Sequence, residues 1–232
     1  MMDSILREGL TALALPCDGV PALARYADLL AEKNRVMNLT AITDPDEVAR
    51  LHFLDSAALL TLADFRGKAA VDVGTGAGFP GLPLRILEPS LRLTLLDAQR
   101  KRVDFLREVC GDLKLEDVET IHSRAEEFAQ ERRESFDIAV SRAVAALPVL
   151  AELCLPLVKP GGVFLAMKSV DCGEELDAAG RAVQMLGGRI EKPVDYRIPG
   201  TNVIHRLVIL TKIKETPKKY PRTFAKIKKN PL

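Results

Sequence analysis

The chain has 232 residues, 47% of them apolar, and 33 basic against 32 acidic side chains give a formal net charge of +1. That is enough apolar material for one sizeable core, and no run approaches the ~20 apolar residues of a membrane span. Four scattered cysteines without a CxxC pair argue against zinc or disulfide frameworks and for a reducing cytoplasm.

Residues 1–66 read as a helical extension. The start, MMDSILREGL, lacks the basic head and small-residue cleavage site of a secretory signal. Leu6, Leu10 and Leu13 recur at helical spacing, as do Leu23, Tyr26, Leu30 and Met37 more loosely. A third helix has a defined start: Asp44 as N-cap, Pro45 in the first helical position and Glu47 completing a capping box. Val48, Leu51, Leu54 and Leu59 follow behind it.

Residues 67–212 have a different grammar. Short apolar runs (AAVDV, LRLTLLD, VETIH, FDIAV, GVFLAMK) alternate with amphipathic helices near 80–88, 99–110, 124–132, 146–157 and 173–186. Such alternation predicts an α/β fold of Rossmann-like type, a mostly parallel sheet of seven strands with helices on both faces. RIEKPVDYRI and VIHRLVILTKI, joined by PGTN, read as a closing hairpin, so the sheet is expected to end in an antiparallel strand. Cys154, among Leu153, Leu155 and Pro156, reads as a packed core thiol.

The first strand runs into VDVGTGAGFPG, with Gly74, Gly76 and Gly78 at the carboxyl edge of the sheet, where ligands bind in such folds. Glycine there permits positive φ and close approach of backbone to ligand. The dinucleotide fingerprint G-x-G-x-x-G asks for a small last residue, but Phe79 stands there, and no Gly-Lys-Ser/Thr of a P-loop is present. Asp72 opens the loop. A carboxylate repels phosphate and suits a ligand carrying an ammonium and a sulfonium, as S-adenosylmethionine does. Asp97 ends the next strand, where it can accept both hydroxyls of a ribose or simply cap the helix beginning at Gln99. Ala125 and Glu126 follow the third strand, where a backbone N–H can meet adenine and Glu126 can accept from its amine, although AEEF is also ordinary helix sequence.

MNLTAI, LHFLDSAALL, DVGTGAGFPGLPL, LLDAQRKR, RAEEF, FDIAVSRAVA and KYPR together resemble the RsmG family, also called GidB or glucose-inhibited division protein B. The resemblance spans nearly the whole chain. It implies a class I S-adenosylmethionine-dependent methyltransferase acting on N7 of one guanine in bacterial 16S rRNA. Carried over by position, it also implies cofactor contacts from Gly74, Phe79, Asp97, Ala98, Gln99, Ala125, Glu126 and Arg142. Ala98 departs from the serine expected of the family there, which removes a hydroxyl but keeps a backbone.

The remaining residues narrow the chemistry. Ser141-Arg142-Ala143 stands where amine methylation of adenine uses an Asn/Asp-Pro-Pro-Tyr/Phe loop, and no cysteine is placed as a nucleophile for carbon methylation. Guanine N7 carries an in-plane lone pair and no proton, so no catalytic side chain, base or metal is expected, only positioning. Arg142 suits a carboxylate or phosphate, or else pairs with a neighbouring acid such as Asp137. His52 reads as a packing residue of its helix and stays outside the catalytic set.

Residues 213–232 read as a basic C-terminal tail. From Lys212 onward the chain carries +7, which leaves −6 on the rest. Tyr220 and Phe224 interleave with the cations, favouring a polyanion contact over a merely solvated tail. Lys218, Lys219 and Arg222 are the candidate contacts to 16S rRNA or the small ribosomal subunit, while Lys168 is either a further one or a plain strand end. A monomer that binds no membrane is expected. A small-molecule methyltransferase and a non-catalytic ribosome assembly factor remain as alternatives.

Overall fold

A computed structural model describes residues 1–232. The N-terminal part is helical: α1 (Met2–Ala12), α2 (Val20–Met37) and α3 (Pro45–Val48), which passes through a π-helical turn (Ala49–Leu54) into α4 (Asp55–Leu62). Asp44 caps α3 by accepting from the amides of Asp46 and Glu47, both at 3.0 Å. The Glu47 side chain takes no part, so only half of the expected capping box forms.

Strands and helices then alternate as β1 (Ala69–Val73), α5 (Gly81–Leu87), β2 (Arg92–Asp97), α6 (Arg100–Asp112), β3 (Val118–His122), α7 (Ala125–Glu131), β4 (Phe136–Arg142), α8 (Leu147–Cys154), β5 (Val158–Ser169) and α9 (Gly173–Met185). The chain closes with β6 (Gly188–Ile190), β7 (Val194–Arg197), β8 (Ile204–Lys212) and α10 (Phe224–Lys229). The sheet order is β3-β2-β1-β4-β5-β8-β6, with β7 also on β8. The first five strands pair in parallel, while β8 runs antiparallel to β5, β6 and β7.

Two expectations about the sheet need correction. It has eight strands, not seven, because RIEKPVDYRI is broken. Pro193, which has no N–H to give to a ladder, interrupts it, and β6 and β7 occupy successive stretches of the same edge. The antiparallel strand β8 lies one position inside that edge rather than at it.

Successive side chains of a strand face opposite ways, and here they feed two cores. Ala70, Leu93, Leu95, Ile138, Val140 and Leu165 pack with α1, α2, α4 and α6. Val71, Val73, Leu96, Ala139, Phe164 and Ala166 pack with α7, α8, α9 and α10. The N-terminal helices thus share their core with the sheet, and Cys154 is fully buried in the opposite one.

The C-terminal segment is docked. The Arg133 guanidinium donates to the carbonyls of Thr216, Pro217 and Tyr220, and Tyr220 and Ile227 are buried. Lys212, counted with the tail cations, is fully buried. It donates to the Leu155 and Val158 carbonyls and lies 2.9 Å from Glu134.

Candidate cofactor site and its surroundings

The glycine loop leaves β1 with Gly74, Gly76 and Gly78 at φ of 71°, 61° and 105°, values that disfavour any side chain. The amides of Gly74 and Thr75 donate to Leu96 O on β2, at 2.8 and 3.1 Å. Gly76 N donates to Asp97 Oδ2 at 3.0 Å, so loop and strand end are held as one unit. A Cβ on Gly74 would come 2.6 Å from Val144, whereas one on Gly76 would meet nothing nearer than 4.0 Å. The open face of the cradle is at Gly76.

Asp72 does not present its charge to that open face. It is fully buried, and its Oδ2 accepts from Thr75 Oγ1 at 2.7 Å and Gly81 N at 2.8 Å. Oδ1 has no partner. Burial pushes the carboxyl up to about 6, against the pull of those two hydrogen bonds and of Arg142. Its direct work is bracing the loop from beneath.

Asp97 is nearly buried and makes the capping contact. Oδ1 accepts from Gln99 N at 2.8 Å, capping the approach to α6, and Oδ2 takes Gly76 N with a longer 3.4 Å contact to Arg102. Ala98 and Gln99 are exposed beside it, with the Ala98 carbonyl meeting His122 Nε2 at 3.2 Å. Ala125 begins α7 on the neighbouring strand end. Glu126 is buried and its Oε1 accepts from the amide of Phe224, so part of the carboxylate expected for adenine holds the C-terminal segment instead.

Phe79 and Arg142 belong to a third group. The Phe79 ring is turned into the core, 4.5 Å from the His52 ring and 5.4 Å from Tyr26 between centroids. The Arg142 guanidinium lies over it at 5.1 Å. Arg142 does not pair with Asp137, which is taken by Lys159. It donates to the Leu51 carbonyl at 3.0 Å, Asp55 Oδ2 at 3.1 Å and His52 Nδ1 at 2.9 Å. Burial and the Arg142 charge push His52 down to about 4. A neutral ring with Nδ1 accepting leaves Nε2–H to donate to Thr40 Oγ1, 2.8 Å away. His52, set aside from sequence, is therefore part of this group.

Comparison with known proteins identifies the chain. A family model described as rRNA small subunit methyltransferase G (GidB) matches residues 20–197. Ribosomal RNA small subunit methyltransferase G of Clostridium botulinum (strain Loch Maree / Type A3) is 47% identical over 210 residues, 89% of this chain and 88% of that one. Its counterpart in Alkaliphilus oremlandii (strain OhILAs) is 44% identical over 100% of this chain and 99% of its own length. The chain belongs to the rRNA small subunit methyltransferase G family.

Solved structures agree on the fold. The YcgJ protein from Bacillus subtilis aligns with a TM-score of 0.56 at 15% identity, over 70% of this chain and 100% of that one. TYW2 of M. jannaschii in complex with AdoMet aligns at 0.55 and 13% identity, over 68% and 75%. This rRNA small subunit methyltransferase G family member is thus built on the class I methyltransferase sheet, and S-adenosylmethionine is its methyl donor. The open cradle at Gly76, with Asp97 at its rim, fits that cofactor.

The candidate substrate cations divide. Lys218 and Lys219 are exposed, with the Lys219 ammonium 5.2 Å from the Tyr220 ring centroid. Lys168 is turned inward to the Ala145 carbonyl and Glu175, at 2.7 and 2.6 Å. Arg222 is clamped by Glu152, with Nε to Oε1 at 2.8 Å and Nη2 to Oε2 at 2.5 Å. Neither of these two is a free phosphate ligand in this arrangement.

Sequence reasoning missed Asp55, Tyr196 and His205. Asp55 is fully buried, and its Oδ1 accepts from Tyr196 Oη at 2.8 Å and His205 Nδ1 at 2.9 Å. The available signal was His52 and Asp55 three residues apart on a helix just before the glycine loop. Tyr196 and His205 become visible only when β7 and β8 are paired, since they are direct register partners.

Proposed function

We propose that this chain methylates N7 of one guanine in 16S rRNA, acting as a monomer in the cytoplasm on the RNA or the small subunit. The observation that carries the reading is the family match across residues 20–197, which includes the loop–Asp97 unit and Arg142. Bound S-adenosylmethionine supplies an electrophilic sulfonium methyl. Asp97 would hold the ribose diol, the Gly74–Gly76 backbone the amino-acid portion, and Ala125 N with Glu126 the adenine edge. Arg142 would meet a carboxylate or phosphate. Guanine N7 loses no proton, and His52, engaged at both ring nitrogens, suits positioning rather than base chemistry. Lys218 and Lys219 would contact RNA phosphates.

The test is methyl transfer from labelled cofactor to small subunits from cells lacking the gene, with methylguanine mapped by borohydride and aniline cleavage. A single N7-methylguanine in 16S rRNA is expected. Subunit binding without label would instead favour the assembly-factor reading, and label in small molecules alone the third.

A further inference from the structure

Arg142 sits at the end of β4, two residues beyond Val140, while Gly74 sits two residues beyond Asp72, the register partner of Val140 on β1. It therefore flanks the start of the glycine loop. Its protein contacts consume both Nη1 hydrogens (Leu51 O, Asp55 Oδ2) and one Nη2 hydrogen (His52 Nδ1). Nε–H and the second Nη2 hydrogen have no protein acceptor, and the guanidinium carbon sits 5.1 Å from the Phe79 ring centroid. A guanidinium held this way offers a rigid pair of donors, which matches a planar or tetrahedral anion.

We propose that Asp55 is a positioning residue of the methyl-transfer site: its buried carboxylate, itself oriented by Tyr196 and His205, aims the free donors of Arg142 at the ligand loop. The proposal rests on the reading of Arg142 as a site residue. Asp55 has no other evident work. Its helix is already held to the core by Ala57 and Leu59 and, one turn earlier, by Phe53 and Leu54. Burying a carboxylate is unfavourable unless its lone pairs are met. Here they are met by three donors from β4, β7 and β8, elements far apart in sequence that converge on this one group. The broken edge of the sheet thereby becomes part of the active site.

Asp55→Asn separates positioning from packing. The amide oxygen can still accept from Tyr196 and His205, but its NH2 then faces the Nη1 donor of Arg142, and the aiming contact is lost. Single-turnover methyl transfer to small subunits and calorimetric cofactor affinity should be measured for wild type, Asp55→Asn, Arg142→Ala and the double variant, with melting temperatures alongside. Asp55→Asn should lower the rate or the affinity at least about tenfold, in the same quantity that Arg142→Ala lowers. In the Arg142→Ala background it should cost less than about twofold. Equal fold-losses in both backgrounds would overturn the proposal, because a purely structural group acts whether or not Arg142 is there. If Arg142→Ala changes neither quantity, the underlying site reading fails, and this proposal with it. If Asp55→Asn does not fold, the same cycle is run with Tyr196→Phe, which removes one orienting donor and leaves the carboxylate, with a smaller but equally Arg142-dependent loss expected.

Discussion

Glu152, fully buried on α8, holds Arg222 through both carboxylate oxygens, and it also accepts the Arg222 amide at 2.9 Å. This contact turns the basic C-terminal stretch from a tail into part of the wall beside α7. Removing one partner of a buried ion pair strands the other, at a cost of about 3–5 kcal/mol. Arg222 is partly exposed, so Glu152→Gln should sit at or below the lower end of that range. Urea unfolding measures the loss, and faster tryptic cleavage after Lys218 and Lys219 in native buffer would show that the segment has come off. Unchanged proteolysis would mean that Arg133 and Ile227 hold it alone.

Asp97→Ala should weaken S-adenosylmethionine binding at least about tenfold. The ribose would lose charge-assisted hydrogen bonds at ~1.5–3 kcal/mol each, and the loop would lose the Gly76 anchor. Calorimetry reads the affinity and a thermal melt checks the fold. An unchanged dissociation constant would remove Asp97 from the site.

Lys218 and Lys219 should account for part of the salt dependence of RNA binding. Each phosphate contact contributes roughly 0.7–0.9 to the slope of log K against log salt. Replacing both with Ala should flatten the slope by about 1.5 and leave cofactor affinity alone. Arg222→Ala should instead act mainly on stability, because its guanidinium is turned to Glu152. A slope identical to wild type in the double variant would make the two lysines a solvated surface.

His52 and Asp72 should pull the pH dependence of stability in opposite directions. His52 falls from 6.5 to about 4 on folding, so between those values the unfolded chain binds the extra proton and stability rises with pH. Asp72 rises from 3.8 to about 6, so over that window the folded chain holds the extra proton and stability falls with pH. The two nearly cancel in the wild type. His52→Gln should unmask Asp72: wild type should gain on the order of 2–3 kcal/mol relative to this variant between pH 4 and 7. Urea midpoints at pH 4.5, 5.5 and 7 give the comparison, and parallel curves would contradict it.

The methyl-transfer step should be nearly independent of pH from about 7 to 9. No group needs to take a proton from N7, and His52 stays neutral throughout. Single-turnover rates at saturating RNA and cofactor test this. A unit-slope rise with pH, abolished by changing one histidine or carboxylate, would reveal a base and reopen the N7 assignment.

What was legible in the sequence was local. Asp44 before Pro45 marks a helix start because capping involves residues two and three positions apart. The strand–helix alternation and the glycine loop are equally short-range, since side-chain alternation and positive φ are properties of a few consecutive residues. The capping role of Asp97 was legible because it belongs at the end of a strand, two residues before the amide it accepts.

Tertiary structure decided which charges are free. Arg142, Lys168, Arg222 and Lys212 all read as candidate cations in the sequence. Their partners Asp55, Glu175, Glu152 and Glu134 lie on other elements and are met only once those elements pack. A buried charge needs a partner within hydrogen-bonding distance, and separation along the chain carries no record of it. Sequence alone was therefore sufficient for the fold class, the loop and the family. The folded chain was needed to turn the tail into a wall and to bring Asp55, Tyr196 and His205 behind Arg142, because those contacts follow from register and packing rather than from neighbouring residues.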